Sequence, residues 1–179
     1  MQKISPKKKR FLIFDLFLFI LLVSLDQLTK HLAVIRLKDK PAVPILKNIL
    51  ELNYLENKGA AFGMLQNQKI FFVLIAVMIM VIIAYVLFLM PDDKKYNLMH
   101  FLLIMVCSGA CGNMIDRLRN NYVVDFIYFV LINFPIFNVA DIYVTVSTAL
   151  FILLFIFVYK EKDFDFLSFK QQKKYREIK

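Results

Sequence analysis

The chain has 179 residues, 60 % of them hydrophobic, with 19 Phe, no Trp and a formal net charge of +9. That apolar fraction exceeds the roughly 45–50 % of soluble globular chains, so one polytopic membrane domain is expected at this length. Four Gly and five Pro exclude a collagen-like fibre, and two cysteines, Cys107 and Cys111, exclude a disulfide-rich scaffold.

Four segments meet the requirement of about 20 mostly apolar residues for a membrane-spanning helix. The first runs from about residue 11 to 31 and follows the basic run Lys7, Lys8, Lys9 and Arg10. It resembles a secretory signal peptide, but no small-x-small site follows it and Asp15 interrupts it, so it is expected to stay as a span. Pro41 and Pro44 then mark a turn. From Ile49 to Asn57 the pattern alternates, with Leu50, Leu52 and Tyr54 on one face and Glu51 and Asn53 on the other, the period of a half-buried strand. The second span, 70–90, has no charge, and the third, 96–115, lacks any Asp, Glu, Lys or Arg. Tyr122 to Phe129 is rich in β-branched and aromatic residues and reads as another strand. The fourth span, 139–159, carries one charge, Asp141, and a basic tail occupies 160–179.

Orientation follows from the basic residues. With the amino terminus inside, segments 1–10, 91–95 and 160–179 hold 14 of the 23 Lys and Arg, although the two outer segments are longer in total. Both termini are therefore expected in the cytoplasm, with the two strands forming a small sheet on the outer membrane surface. The tail from Lys170 to Lys179 then meets anionic headgroups, which accounts for the positive charge without a nucleic-acid partner.

The acids carry the chemistry. Asp141 falls just inside the outer end of the fourth span, where burying a charge costs several kcal/mol, and intramembrane ionisable residues are functional candidates by default. Asp125 interrupts the apolar run Val123-Val124-Asp125-Phe126-Ile127. The turn around Pro135 allows the chain to fold back and bring these two acids together. Two carboxylates within hydrogen-bond reach do not both stay ionised. One keeps a proton while the other acts as base, the arrangement with which aspartic proteases activate water. Asp26 and Lys30 form an i, i+4 pair, and Asp116 with Arg117 reads as an ion pair or helix-end contact closing the third span. Asp15 reads as structural, near the cytoplasmic interface. His31 and His100 fall at opposite membrane faces, so a nucleophilic triad is poorly supported. Cys107 and Cys111 share a helix face without further ligands nearby, which favours packing over zinc.

Five segments together resemble the lipoprotein signal peptidases (signal peptidase II), the bacterial membrane aspartic proteases. They are Asp26-Gln27-Leu28-Thr29-Lys30; Asn57-Lys58-Gly59-Ala60-Ala61-Phe62-Gly63; the run from Gly109 to Arg117; Val123-Val124-Asp125-Phe126; and Phe137-Asn138-Val139-Ala140-Asp141. They keep the family's order over about residues 22–147. The resemblance implies four transmembrane helices with a small extracytoplasmic β-cradle and a short interfacial helix, which would fall near Ala60 to Gln68. It implies removal of the signal peptide from a prolipoprotein, just before its diacylglyceryl-modified cysteine, without metal or cofactor. Asp125 and Asp141 match the family's catalytic dyad. Asn57, Asn113, Arg117 and Asn138 match positions that hold the substrate or the dyad, and Asp26, Lys30 and Asp116 match positions assigned to local support. The implied partners are the lipid-modified substrate and membrane lipids, and a monomer is the expected state. One departure is Ser108-Gly109 where the family often has two glycines, a change that still permits close helix packing.

A small transporter or proton-conducting subunit is the competing class, and it predicts acids near mid-membrane on several helices. Asp26, Asp116, Asp125 and Asp141 instead cluster toward the outer side, which favours an interfacial enzyme. A non-catalytic assembly subunit gives no reason for Asn and Asp to accumulate there.

Overall fold

The computed structural model describes residues 6–59 and 66–168. The expected interfacial helix near Ala60 to Gln68 falls outside them apart from a turn at Gln66 and Asn67, and so does the end of the basic tail. Four long helices form the body: α1 (Pro6–Leu37), α2 (Lys69–Leu89), α3 (Asn97–Asn120) and α4 (Val139–Phe157). All four are long and apolar enough to cross a membrane. At about 1.5 Å per residue, the 32 residues of α1 outreach a hydrocarbon core of about 30 Å. It therefore extends past the expected 11–31 on both sides. Helix α3 likewise runs beyond Ile115 to Asn120, where Asn121 adopts the left-handed conformation that stops it.

The polarity of α1 is inverted relative to a soluble helix. Its buried residues include Lys8, Asp15, Asp26 and Lys30, whereas Phe17 is 63 % exposed. Charges inside and large apolar side chains outside are the arrangement that lipid as solvent demands.

Three strands, β1 (Val43–Leu46), β2 (Leu50–Asn57) and β3 (Val123–Phe129), form one antiparallel sheet in the order β1-β2-β3. Strand β1 departs from the sequence reading, which took Pro44 as part of a turn. Pro44 sits within the strand opposite Glu51. A proline that cannot donate to a ladder is tolerated there because β1 is an edge strand. The sheet is seated on the end of α1, with Val124 and Phe126 packed against Ala33 and Leu37.

Helix α3 is the central element and packs against the other three. Its contact with α4 requires glycine: a Cβ on Gly109 would lie 2.5 Å from the Ala140 carbonyl oxygen and 2.7 Å from Val144 Cγ2. At the far end of the bundle from the sheet, Ile83, Leu87, Met90, Tyr96, Met99, Ile104 and Tyr159 form an apolar core. Two polar ties cross that end. Asp15 of α1 meets His100 Nδ1 of α3 at 3.0 Å, with Phe11 stacked on the imidazole. Lys8 donates to the carbonyl oxygen of Leu87 at 2.9 Å and to that of Met90, satisfying the carboxyl end of α2.

The Asp15–His100 pair is buried on both sides. Asp15→Leu leaves the imidazole without its partner and is expected to cost on the order of 2 kcal/mol. The double variant Asp15→Leu/His100→Leu should recover most of that loss. Thermal unfolding of the four proteins in one detergent checks both, and a double variant no more stable than Asp15→Leu would refute the pairing.

Candidate active site

Strand β3 and the chain that follows it form a hairpin that leads directly into α4. Phe126 N and Ile127 N donate to the Phe137 carbonyl oxygen at 3.0 and 2.9 Å, and Phe137 N donates to Ile127 at 3.0 Å. This return around Pro135 places Asp125, on β3, and Asp141, in the first turn of α4, on the wall of one cavity of about 530 Å³. Asn138 caps α4: its side-chain oxygen accepts from Asp141 N, and Asp141 Oδ2 accepts from Asn138 N, each at 3.1 Å.

Three asparagine side chains feed these acids. Asn57 Nδ2 donates to Asp125 Oδ2 at 2.8 Å, Asn138 Nδ2 to Asp125 Oδ1 at 2.6 Å, and Asn113 Nδ2 to Asp141 Oδ1 at 2.8 Å. Each amide is oriented by a donor on its oxygen side, which leaves its NH₂ to face a carboxylate. For Asn57 that donor is Gly59 N at 2.9 Å, and for Asn138 it is Asp141 N. For Asn113 it is the Lys30 ammonium at 2.8 Å, joined by Asn138 Nδ2 at 3.1 Å. Burial first, and then the nearby charge of Asp141, pushes the Asp125 carboxyl up to about 7, against the Asn57 and Asn138 hydrogen bonds that favour ionisation. Two carboxylates on the wall of one cavity, one of them holding its proton to near neutrality, are the kind of groups that can serve as an acid and a base.

Beneath this layer lies a second, made by α1 and α3. Lys30 Nζ is 3.0 Å from Asp26 Oδ2 and 3.2 Å from Asp116 Oδ2, so with Asn113 it has a partner for each of its three donors. Asp26 Oδ1 also accepts from Ala140 N of α4 at 3.0 Å, and Asp116 Oδ2 from Val124 N of β3 at 3.0 Å. The i, i+4 pairing of Asp26 with Lys30 is therefore present. Asp116 is not a helix-end residue paired with Arg117: α3 continues past it, and its partners are Lys30, Gln27 and the strand backbone. Arg117 donates to the carbonyl oxygens of Asn113 at 3.3 Å and Gly59 at 3.1 Å, and its guanidinium lies 4.5 Å from the centre of the Phe72 ring. It thus ties the end of β2 to α3 while lining the cavity.

Two contributors escaped the residue-by-residue reading. Gln27 Nε2 reaches Asp116 Oδ1 at 3.0 Å, and Asp26 Oδ2 and the Gly112 carbonyl at 3.2 Å each. Gly112 provides the room, since a Cβ there would lie 2.3 Å from Asp26 Oδ2. Both sit inside segments the sequence marks, and the small-xxx-small spacing of Ser108 and Gly112 is a close-packing signal. The rest of the cavity wall is apolar, with Phe72, Phe129, Phe134, Phe137, Ile142 and Val146.

The sequence also compares with known proteins. The family model for signal peptidase (SPase) II matches residues 18–157. A lipoprotein signal peptidase of Caldanaerobacter subterraneus subsp. tengcongensis is 44 % identical over 136 residues, 75 % of this chain and 90 % of that protein. One from Streptococcus pyogenes serotype M1 is 42 % identical over 158 residues, 88 % of this chain and 98 % of that protein. A solved bacterial membrane enzyme is similar with a TM-score of 0.72 at 29 % identity, covering 83 % of this chain and 92 % of that one. Matched over most of its length by the family model and by relatives of nearly its own extent, the chain belongs to the signal peptidase II family.

Proposed function

We propose that this signal peptidase is an aspartic endopeptidase that removes the signal peptide from diacylglyceryl-modified prolipoproteins, cleaving just before the lipid-modified cysteine. The observation that carries the reading is the pair Asp125 and Asp141 on one largely apolar cavity, each carboxylate held by asparagine amides. In this mechanism Asp141 is the ionised base and Asp125 the protonated acid. Asp141 takes a proton from water as the water oxygen bonds to the scissile carbonyl carbon, and Asp125 gives its proton to the carbonyl oxygen. The tetrahedral intermediate then collapses: the C–N bond breaks, the proton on Asp141 passes to the leaving amine, and a hydroxyl proton returns to Asp125. Asn57, Asn113 and Asn138 keep the two acids in register, and Arg117 secures the rim where an extended peptide enters. Asp26, Lys30 and Asp116 hold that layer from below. No cofactor enters the reaction as written.

The site lies at the end of the bundle opposite Lys8, Lys94 and Lys95. By the positive-inside rule, those lysines face the cytoplasm of a plasma or inner membrane and the site faces the extracytoplasmic side. A signal peptide leaving the bilayer presents its cleavage region there, and the apolar wall accepts the adjoining acyl chains.

Purified protein should cleave a prolipoprotein carrying the diacylglyceryl group and leave the unmodified precursor intact on a gel-shift assay. Asp125→Asn and Asp141→Asn should each lose at least about a thousandfold in turnover while eluting as folded protein in detergent. Full activity in either variant would overturn the dyad.

The rate should fall with rising pH around pH 7, because ionisation of Asp125 removes the proton that the carbonyl oxygen needs. Asn57→Ala deletes a hydrogen bond to the ionised carboxylate, which raises the Asp125 pKa further. The alkaline limb of that variant should therefore shift to higher pH, and a shift to lower pH would contradict the assignment of Asp125 as the acid.

For the lower layer, Lys30→Met strands two buried carboxylates and frees the Asn113 amide to rotate. A stability loss of about 3 kcal/mol is expected, together with a drop in kcat rather than a rise in KM. Asp116→Asn, which keeps one oxygen as an acceptor, should lose activity only in part. A loss as complete as in the dyad variants would reverse the ranking of the acids.

A further inference from the structure

The loop at the tip of the β3–α4 hairpin has a composition that water does not explain. From Phe126 to Ala140 the chain carries no Asp, Glu, Lys, Arg or His. At the tip, Leu131 is 70 % exposed and Ile132 is 68 % exposed, and Phe134 stands out beside them. Val130 N donates to the Ile49 carbonyl oxygen at 2.9 Å, which joins this tip to the turn between β1 and β2, where Leu46 and Ile49 are also exposed. The result is one apolar ridge at the far end of the sheet from Gly59, since Leu50 pairs with Phe129 whereas Asn57 pairs with Val123.

We infer that this ridge is embedded in the same bilayer that the four helices span, with Leu131 and Ile132 among the acyl chains. Three observations select lipid as the occupant. The ridge is continuous through the hairpin with α4, a helix long and apolar enough to span the membrane, on which Ile142 and Val146 of the cavity wall stay exposed together with Leu150. Much of the tip's polarity is satisfied within itself, as entry into a low-dielectric medium requires. Asn133 N donates to Val130 at 3.0 Å, Phe134 N to Phe129 at 3.1 Å, and the Tyr128 hydroxyl to Asn133 Oδ1 at 2.6 Å. Finally, the one charge at the ridge is Lys47, exposed in the β1–β2 turn, where a long basic side chain can reach lipid phosphates. Large exposed apolar patches mark interaction sites in general, and here the neighbouring surface is lipid. Because Phe129, Phe134 and Phe137 of the same hairpin line the cavity, its insertion brings that part of the cavity wall next to the acyl chains.

The placement does not depend on the chemistry proposed for the acids, and the chain offers a direct test because it contains no tryptophan. Leu131→Trp and Ile132→Trp, made separately, each introduce a single fluorophore at an exposed position, and prolipoprotein cleavage in both variants is followed separately. In phosphatidylglycerol/phosphatidylcholine vesicles both should show blue-shifted emission. Lipids brominated along the acyl chain should quench it to an extent near that of Ile82→Trp on the lipid-facing side of α2, and aqueous iodide should have little effect. Emission at the position of N-acetyltryptophanamide in buffer, with strong iodide quenching, would place the tip in water and overturn the inference. Burial that appears only at high protein-to-lipid ratio would assign the ridge to a second copy of the chain and overturn it equally.

Discussion

The ammonium of Lys30 is the interaction on which the rest of the molecule depends. It stands between two buried carboxylates and beneath an asparagine, and every group it touches belongs to a different junction of the fold. Asp26 holds the first turn of α4 through Ala140 N, Asp116 holds β3 through Val124 N, and Asn113 reaches up to Asp141. A charge taken out of water costs several kcal/mol unless its donors and acceptors are all engaged, and a half-engaged network is worse than an apolar one. The packing must therefore close completely around Lys30 or not at all. Gly112 is part of that closure, because the space a Cβ would fill is occupied by Asp26.

Orientation passes outward from this centre by hydrogen-bond logic alone. An ammonium only donates, so Asn113 turns its oxygen downward and its NH₂ toward Asp141. The cap of α4 imposes the same on Asn138, and the turn after β2 imposes it on Asn57. Three amides with no charge of their own thus become fixed donors to two acids. Their effect opposes that of burial, which holds the Asp125 proton to near neutrality. The balance favours an acid that is protonated but not beyond reach of ionisation, which is the condition for a group that gives and regains a proton in each cycle.

Much of this was readable in the sequence, and the limits were physical. The four spans stand out because lipid demands about 20 apolar residues in a row, and Asp125 and Asp141 stand out because they break apolar runs. Strand β2 betrayed itself by alternation. Strand β1 did not, because its four residues are all exposed and its proline imitates a turn. For Asp116 the residue pattern alone suggests an ion pair with Arg117 or a helix end, because the apolar run of the third span stops near Ile115, whereas the helix continues to Asn120 and Asp116 meets Lys30, in keeping with the local support that the resemblance implies. Asp15 and His100 lie 85 residues apart, so no local pattern joins them. The family resemblance supplied positions but not partners. It marked Gln27 and Gly112 within motifs without showing that one bridges two acids and the other makes the space for them.

The function proposed for this chain imposes two demands that conflict, since water must reach the scissile bond while the acyl chains beside it stay out of water. The cavity lining holds groups suited to each: Asp125, Asp141, Asn57 and Asn113 from β2, β3, α3 and the start of α4, and Phe129, Phe134 and Phe137 from the hairpin that also carries Leu131 and Ile132. The two sets are not independent, because the Phe137 backbone pairs with Phe126 and Ile127 on one side of Asp125 and leads into Asn138 on the other. On the proposed seating of the hairpin in the bilayer, displacing its tip would therefore also displace the backbone that leads into Asn138, which holds Asp125. The proposed lipid contact and the proposed chemistry thus share one short stretch of backbone, a coupling that would favour cleavage where the hairpin is seated.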